Sequence, residues 1–294
     1  MAFGLGALAS IRVPCHPRAV RVAIPLLSAS ISVCLALTAC EPPPPRHELP
    51  AQTPSEPASE ARPTIPEPGP DGLRELAGVH YLEYTTAGAS ADETLPMIVA
   101  IHGLGDSPEG FANLLRGFDR KARVIVPRAF DRYGRGWSWF PIRMADGDDA
   151  AIGAAISNSA AKLAPAIEQL AATYPTQGRP YVTGFSQGGM LSFALAVEHG
   201  ELITAAFPVG GWLPEPLWPS AGPKADAPPI VAFHGEADDR VPFAPTQAAV
   251  TKLDSLGYAV ELHGYAGVGH SISRPMHAEL SASLGAAIDK ESGK

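Results

Sequence analysis

The stretch Tyr181-Val182-Thr183-Gly184-Phe185-Ser186-Gln187-Gly188-Gly189-Met190 constrains the fold of this chain more than any other. Tyr181 to Thr183 follow the Arg179-Pro180 break and predict a short strand. Met190, Leu191, Phe193, Leu195 and Val197 then crowd into the pattern of a helix buried on most sides. Between them Ser186 stands in Gly-x-Ser-x-Gly, a sharp strand-to-helix turn that tolerates only small neighbours, and Gly184, Gly188 and Gly189 supply them. Such a turn holds the hydroxyl clear of the backbone ladder, where a base can reach it. It also aims a helix N-terminus at any negative charge that develops there.

Around this stretch the pattern alternates between strands and helices. Val79 to Tyr84 alternates in polarity and predicts an edge strand. Leu95 to Ile101 is a continuous apolar run, as a strand buried in a parallel sheet requires. Glu109 to Arg120 reads as an amphipathic helix, with Asp106 and Glu109 spaced as an N-cap and capping-box pair and Pro108 in the first turn. Arg123 to Pro127 is a short strand, and Ala150 to Tyr174 is a long helix with a candidate break at Pro165. Ala205–Val209, Ile230–His234 and Ala259–His263 read as further strands, and Val241–Leu256 and Pro275–Ile288 as helices. The expected architecture is therefore one α/β domain over residues 73–294, with a mainly parallel central sheet and helices on both faces. Ligands of such sheets bind beyond the carboxyl ends of the strands. His102 to Asp106, the elbow at Ser186, Gly235 to Val241 and Gly264 to His270 all follow strand ends and converge on that edge.

The chain ahead of the domain is of another kind. Arg12, Arg18 and Arg21 precede an uncharged run, Val22 to Ala39, that ends in Leu37-Thr38-Ala39-Cys40. The ending resembles the bacterial lipobox, in which the cysteine is acylated and becomes the mature N-terminus. The run is barely long enough to cross a bilayer, and Pro25 with several Ser and Thr residues fits a signal segment better. Residues 1–39 are thus expected to be a lipoprotein signal peptide and Cys40 a lipid site, leaving the protein anchored in the bacterial cell envelope. Residues 40–72 are expected to be a disordered tether, since eleven of the thirty residues 41–70 are proline. Cys15 and Cys34 would leave with the signal and Cys40 would carry lipid, so the mature chain would hold neither a disulfide nor a cysteine-built metal site. The formal net charge of −8 provides no basic footprint for nucleic acid.

A serine nucleophile needs a base, a carboxylate to orient that base, and donors for an oxyanion. Of the five histidines after Ser186, His270 lies in the flexible loop Gly267-Val268-Gly269-His270-Ser271 that follows the last strand, and it is the first candidate. His263 lies within that strand, His199 and His277 lie on helices, and His234 closes a strand. For the acid, the turn after the penultimate strand offers Asp238 first, Asp239 second, and Glu236 as a loop support. The backbone N–H groups of Leu104 and Gln187 are the candidate oxyanion donors, the second because it directly follows the nucleophile. His102, just before Gly103, reads as a loop support. No metal or organic cofactor has a motif here.

Four motifs in order, His102-Gly-Leu-Gly-Asp106, Gly184-Phe-Ser-Gln-Gly-Gly189, His234-Gly-Glu-Ala-Asp238 with Val241-Pro242, and Gly269-His270-Ser271, resemble the phospholipase/carboxylesterase family of α/β-hydrolases. The resemblance spans about residues 79–285. It implies an α/β-hydrolase fold, with nucleophile, acid and base at Ser186, Asp238 and His270 and oxyanion donors at Leu104 and Gln187. Trp137-Ser138-Trp139-Phe140 is similar to the family's Trp-Phe segment beside the acyl pocket, which makes Trp137, Trp139 and Phe140 candidate pocket residues. The implied activity is hydrolysis of carboxylic esters or thioesters through an acyl-enzyme, with no cofactor. Acyl chains of short to medium length are expected, since no long inserted lid segment is evident. Feruloyl-esterase, polyester-depolymerase and lysophospholipase activities are the alternatives, and a catalytically silent binding module is the non-enzymatic one. Asp239-Arg240 stands where many relatives carry an apolar or proline-containing pair. The lipobox and stem are additions to the usual soluble form, so an intracellular protein-deacylating role does not carry over.

Overall fold

The computed structural model describes residues 63–141 and 147–293, which fall in one compact unit, Ser59–Lys294. The signal segment, Cys40 and the tether as far as residue 62 lie outside the described residues. In chain order the elements are β1 (Arg74–Leu76), β2 (Val79–Thr85), β3 (Met97–Ile101), α1 (Pro108–Phe111), β4 (Arg123–Pro127), β5 (Asp131–Tyr133) and β6 (Gly136–Ser138). There follow α2 (Asp149–Thr173), β7 (Tyr181–Phe185), α3 (Gln187–Glu198), β8 (Ala205–Val209), β9 (Ile230–Gly235), α4 (Phe243–Ser255), β10 (Val260–Tyr265) and α5 (Arg274–Glu291).

Eight strands form one sheet in the order β1-β2-β4-β3-β7-β8-β9-β10, and β5 and β6 make a separate hairpin. The pairs β1–β2 and β2–β4 are antiparallel and every other pair in the large sheet is parallel. The apolar run of β3 shows why: Met97, Val99 and Ile101 join a cluster with α2, α3 and α4, while Ile98 and Ala100 join a second cluster with α5. Alternate side chains of a strand point to opposite faces, so a sheet covered on both sides needs an unbroken apolar run rather than alternation. The fold is α/β with helices on both faces, and it places the carboxyl ends of β3, β7, β9 and β10 along one edge.

Three local expectations change. The strand beginning at Val79 is not an edge: β1 pairs beyond it through the two-residue turn Ala77-Gly78, where both φ values are positive (51° and 74°), as a tight hairpin requires. The helix expected over Glu109–Arg120 is a single α-turn, Pro108–Phe111, continued by a 3₁₀ turn, Ala112–Leu114. Its cap is Ser107, whose Oγ accepts from Gly110 N–H at 3.2 Å, and Asp106 instead accepts from Ser107 N–H. Gly110 and Gly117 fall inside the expected helix, and each weakens it by about 1 kcal/mol relative to alanine. Conversely, α2 runs unbroken through Pro165. Ala164, Ala166 and Ile167 around that proline are buried in the core, and this packing outweighs the roughly 3 kcal/mol that proline costs inside a helix.

Candidate active site

β7 ends at Phe185 and α3 begins at Gln187, so the chain turns on Ser186 alone. Ser186 adopts φ 58° and ψ −116°, a strained conformation for a residue with a side chain, costing of the order of 1–3 kcal/mol. The surroundings hold it there: Ser186 N–H donates to Val209 O at 3.0 Å, and its own carbonyl accepts from Met190 N–H at 2.9 Å. The turn is also crowded. A Cβ on Gly188 would lie 1.9 Å from Ile101 O, and one on Gly184 would lie 2.5 Å from the Gly188 backbone. Glycine is required at both positions because the backbones of β3, β7 and α3 touch.

His270 lies in the loop between β10 and α5. Its Nε2 is 3.0 Å from Ser186 Oγ and its Nδ1 is 2.7 Å from Asp238 Oδ2. Asp238 cannot donate when ionised, so Nδ1 carries the proton and Nε2 is left to accept from the serine hydroxyl. Asp238 is held in turn through Oδ1, which accepts from Arg240 N–H and Val241 N–H, both at 2.9 Å. The two loops that must meet here are laced together. Glu236 N–H donates to Tyr265 O and Ala237 N–H to Val268 O, each at 3.0 Å, and a Cβ on Gly235 would lie 2.3 Å from Val268 O. The Phe185 ring lies against the imidazole of His270 with centroids 4.8 Å apart.

The competing residues go elsewhere. Asp239 and Glu236 are exposed, and it is the backbone of Glu236 rather than its carboxylate that supports the loop. His199 caps the C-terminus of α3 and His277 reaches Leu114 O from α5 at 2.7 Å. His263 pairs with Glu279 at 2.7 Å. His234 is fully buried beneath the site.

Gln187 is the first residue of α3, so its N–H has no carbonyl one turn earlier to bond within the helix. Leu104 lies in the loop after β3, and that loop comes close to the elbow: a Cβ on Gly103 would be 3.4 Å from Ser186 Cβ. His102 shapes this loop from below. It is fully buried, its Nδ1–H donates to Gly103 O at 2.7 Å, and its Nε2 accepts from Ala129 N–H at 3.2 Å. Burial pushes its pKa down, against the opposing pull of the Gly103 carbonyl, and the neutral imidazole matches this pairing.

Within the aromatic segment Trp137–Phe140, Trp139 and Phe140 are packed as scaffold for the site rather than as an open pocket wall, whereas Trp137 is partly exposed. Trp139 and Phe140 are 1% and 3% exposed, and Trp139 Nε1–H donates to His102 O at 2.8 Å. Trp137 is flanked by the guanidinium groups of Arg128 and Arg132, each 4.2 Å from its ring centre. Its backbone is paired with the β3 loop: Gly105 N–H donates to Trp137 O at 2.8 Å, and Trp137 N–H donates to Asp106 O at 3.0 Å. A role that sequence reasoning missed belongs to the Gln187 side chain. Its Nε2 donates to Phe140 O at 2.8 Å and its Oε1 accepts from Trp139 N–H at 3.0 Å, which ties the start of α3 to the same segment. The available signal was an uncharged polar residue, long enough to reach a neighbouring backbone, at the head of an otherwise apolar buried helix. Among the described residues no group of three His, Cys, Asp or Glu side chains is placed to hold a metal ion.

Comparison with known proteins places these observations in a lineage. Residues 83–288 match the Phospholipase/Carboxylesterase family. A protein of Oryza sativa subsp. japonica named as a probable carboxylesterase is 29% identical over 204 residues, covering 63% of this chain and 75% of that protein. Acyl-protein thioesterase 1 of Gibberella zeae is 26% identical over 204 residues, covering 62% and 86% respectively. Among solved structures, esterase PE8 superposes with a TM-score of 0.62 at 24% identity, over 71% of this chain and 99% of that one, a likeness of fold. The chain belongs to the phospholipase/carboxylesterase family of α/β-hydrolases, and it is a carboxylic ester hydrolase.

Proposed function

We propose that Ser186, His270 and Asp238 act as a catalytic triad that cleaves carboxylic esters or thioesters through an acyl-enzyme. The single observation that carries this reading is the imidazole of His270 bridging Ser186 Oγ at 3.0 Å and Asp238 Oδ2 at 2.7 Å. In the first half-reaction Ser186 Oγ attacks the acyl carbonyl carbon and its proton passes to His270 Nε2. The carbonyl oxygen takes the negative charge and is met by the N–H groups of Leu104 and Gln187, with the N-terminus of α3 adding a favourable field. Asp238 remains ionised, stabilises the imidazolium and holds its orientation. The intermediate collapses as Nε2 returns the proton to the departing alcohol or thiol. A water molecule, deprotonated by the same nitrogen, then releases the acid and regenerates Ser186.

Turnover of p-nitrophenyl acetate and butyrate tests this reading. The wild-type protein is expected to hydrolyse both, and Ser186→Ala to lose at least about 10³-fold in kcat, as removal of a triad nucleophile does. Asp238→Asn should cost about 10²–10⁴-fold, because the wrong imidazole tautomer is then favoured, whereas Asp239→Asn should stay within about twofold. No hydrolysis by folded wild type would make the chain a silent binding module on a hydrolase scaffold. A Ser186→Ala enzyme with wild-type turnover would place the nucleophile elsewhere.

The proposal extends to location: a lipid on Cys40 and the Pro-rich stem would hold the domain on the bacterial envelope. Short- to medium-chain esters are the first substrates to test. The external stem favours a second arm of that panel, with feruloyl esters, a polyester film and lysophospholipid as substrates, since these are met outside the cytoplasm.

A further inference from the structure

One buried titratable side chain contacts the proposed triad without having a step in it. His234, near the end of β9, is fully buried, and its Nε2 lies 2.8 Å from Val241 O and 3.4 Å from Asp238 Oδ2. A carbonyl oxygen only accepts, so Nε2 carries the ring proton in its bond to Val241 O. Among the described residues Nδ1 meets no partner with good hydrogen-bond geometry, the Gly211 backbone being its ring's only other polar neighbour of that kind. Burial drives the pKa of this histidine down and His270 adds to the push, while the Val241 carbonyl, the Asp238 carboxylate and the Gly211 backbone pull the other way. The neutral form with the proton on Nε2 is the one that the geometry accommodates. Phe243 closes the pocket edge-on, with ring centroids 5.8 Å apart.

Val241 is the residue through which this bond reaches the acid. Its N–H donates to Asp238 Oδ1 at 2.9 Å, while its C=O receives the His234 proton. The loop from His234 to Val241 is thus closed on itself, with Asp238 at its centre. Oδ1 is committed to two backbone N–H groups and Oδ2 is turned toward His270. The 3.4 Å approach of His234 Nε2 to Oδ2 is a close contact rather than a hydrogen bond, since the one ring proton is directed at Val241 O. We infer that His234 is a positioning residue for the acid: by donating its Nε2–H to Val241 O it fixes the loop that directs Asp238 Oδ2 at His270 Nδ1. The inference rests on the triad proposed above and assigns His234 no contact with substrate.

The role depends on a donor at one point in space, which separates it from simple cavity filling. Gln brings an amide N–H near the position of the imidazole Nε2, Asn reaches only as far as Nδ1, and Phe fills the ring volume with no donor. His234→Gln, His234→Asn and His234→Phe would be compared in the full chain by melting temperature and by kcat and KM for p-nitrophenyl butyrate. The far-downfield proton resonance of His270 Nδ1–H would be followed alongside. The Phe and Asn variants are expected to lose about 10- to 10²-fold in kcat with KM within about twofold, the signature of a misplaced catalytic group rather than a lost binding contact. Their downfield resonance should shift or vanish, and the Gln variant should recover kcat to within about threefold of wild type.

A folded Phe variant with wild-type kcat overturns the inference, as does a Gln variant as slow as Phe. Should Phe fail to fold, the contrast between Asn and Gln decides, equal kcat in the two being the overturning result. Ser186→Ala run beside them keeps the two readings apart. If it retains turnover, the triad reading falls and takes this one with it. If it is inactive while the His234 variants are unaffected, only the present inference falls.

Discussion

His102 and His234 are both fully buried, and each is held as a neutral imidazole by burial. Their folded pKa values lie below the ordinary 6.5, so between that value and the folded one the unfolded chain binds protons that the native protein does not. Stability is therefore complete above about pH 6.5 and drains as pH falls through and below it, by up to about 1.4 kcal/mol per pH unit for each such histidine. Urea midpoints measured from pH 8 to pH 5 should be flat at the alkaline end and fall on the acid side. His102→Asn keeps a donor where Nδ1 points at Gly103 O and should reduce the acid-side slope by one proton's share. An identical slope in wild type and variant would sink the argument. At this scale sequence and structure diverge most over neighbours of like chemistry. Asp238 and Asp239 are indistinguishable by type, and what separates them is a turn in which Oδ1 of Asp238 accepts the N–H groups two and three residues on. The three side chains that meet are Ser186, His270 and Asp238, and their order along the chain was the legible part.

The β5–β6 hairpin, like β1, is an element that sequence pattern did not reveal. Each strand is three residues long, and the backbone that Trp137 bonds and that Gly136 lies against is the loop after β3, where no local periodicity records it. The long apolar strands were legible for the opposite reason: burial on both faces writes itself into consecutive residues, as in β3, β4 and β8. The hairpin also carries a testable consequence for catalysis. A Cβ on Gly136 would sit 2.1 Å from Gly105 O and 2.5 Å from Asp106 O, so an alanine there must push on the loop that presents Leu104. Gly134, at the tip, has open space around it and needs glycine only for its φ of 59°. Gly134→Ala should cost about 1–2 kcal/mol of local strain and leave ester turnover within about twofold. Gly136→Ala should lower kcat by about 10- to 10²-fold, as displacement of the proposed oxyanion donor Leu104 would. Equal turnover in the two variants would show that the hairpin does not set the proposed oxyanion loop.

At the scale of the whole molecule, a sheet that gathers its loops along one edge is joined to a stem of quite different composition. The sheet was predictable because alternating strand and helix patterns admit few arrangements; the order in which β1 and β2 extend it was not, since a three-residue strand carries little pattern. The stem follows a different logic. On the proposed reading residues 41–70, eleven of them proline, are the stem, although within the described residues Ile65 already packs against the domain core. At about 3.1 Å per residue in a polyproline II conformation, they would reach at most about 90 Å. The proposed anchor and the proposed chemistry are then separable, which a pair of measurements exploits. Cys40→Ser should move the protein from the membrane pellet to the soluble fraction, because one acylated residue is the proposed hold on the bilayer. The same variant should hydrolyse p-nitrophenyl butyrate with unchanged kcat, since every contact that positions Ser186, His270 and Asp238 comes from residues of the folded domain. A variant that stays in the pellet after washing would mean that Val22 to Ala39 is retained as an anchor. One that is released but loses turnover would mean that the stem and its lipid take part in forming the site.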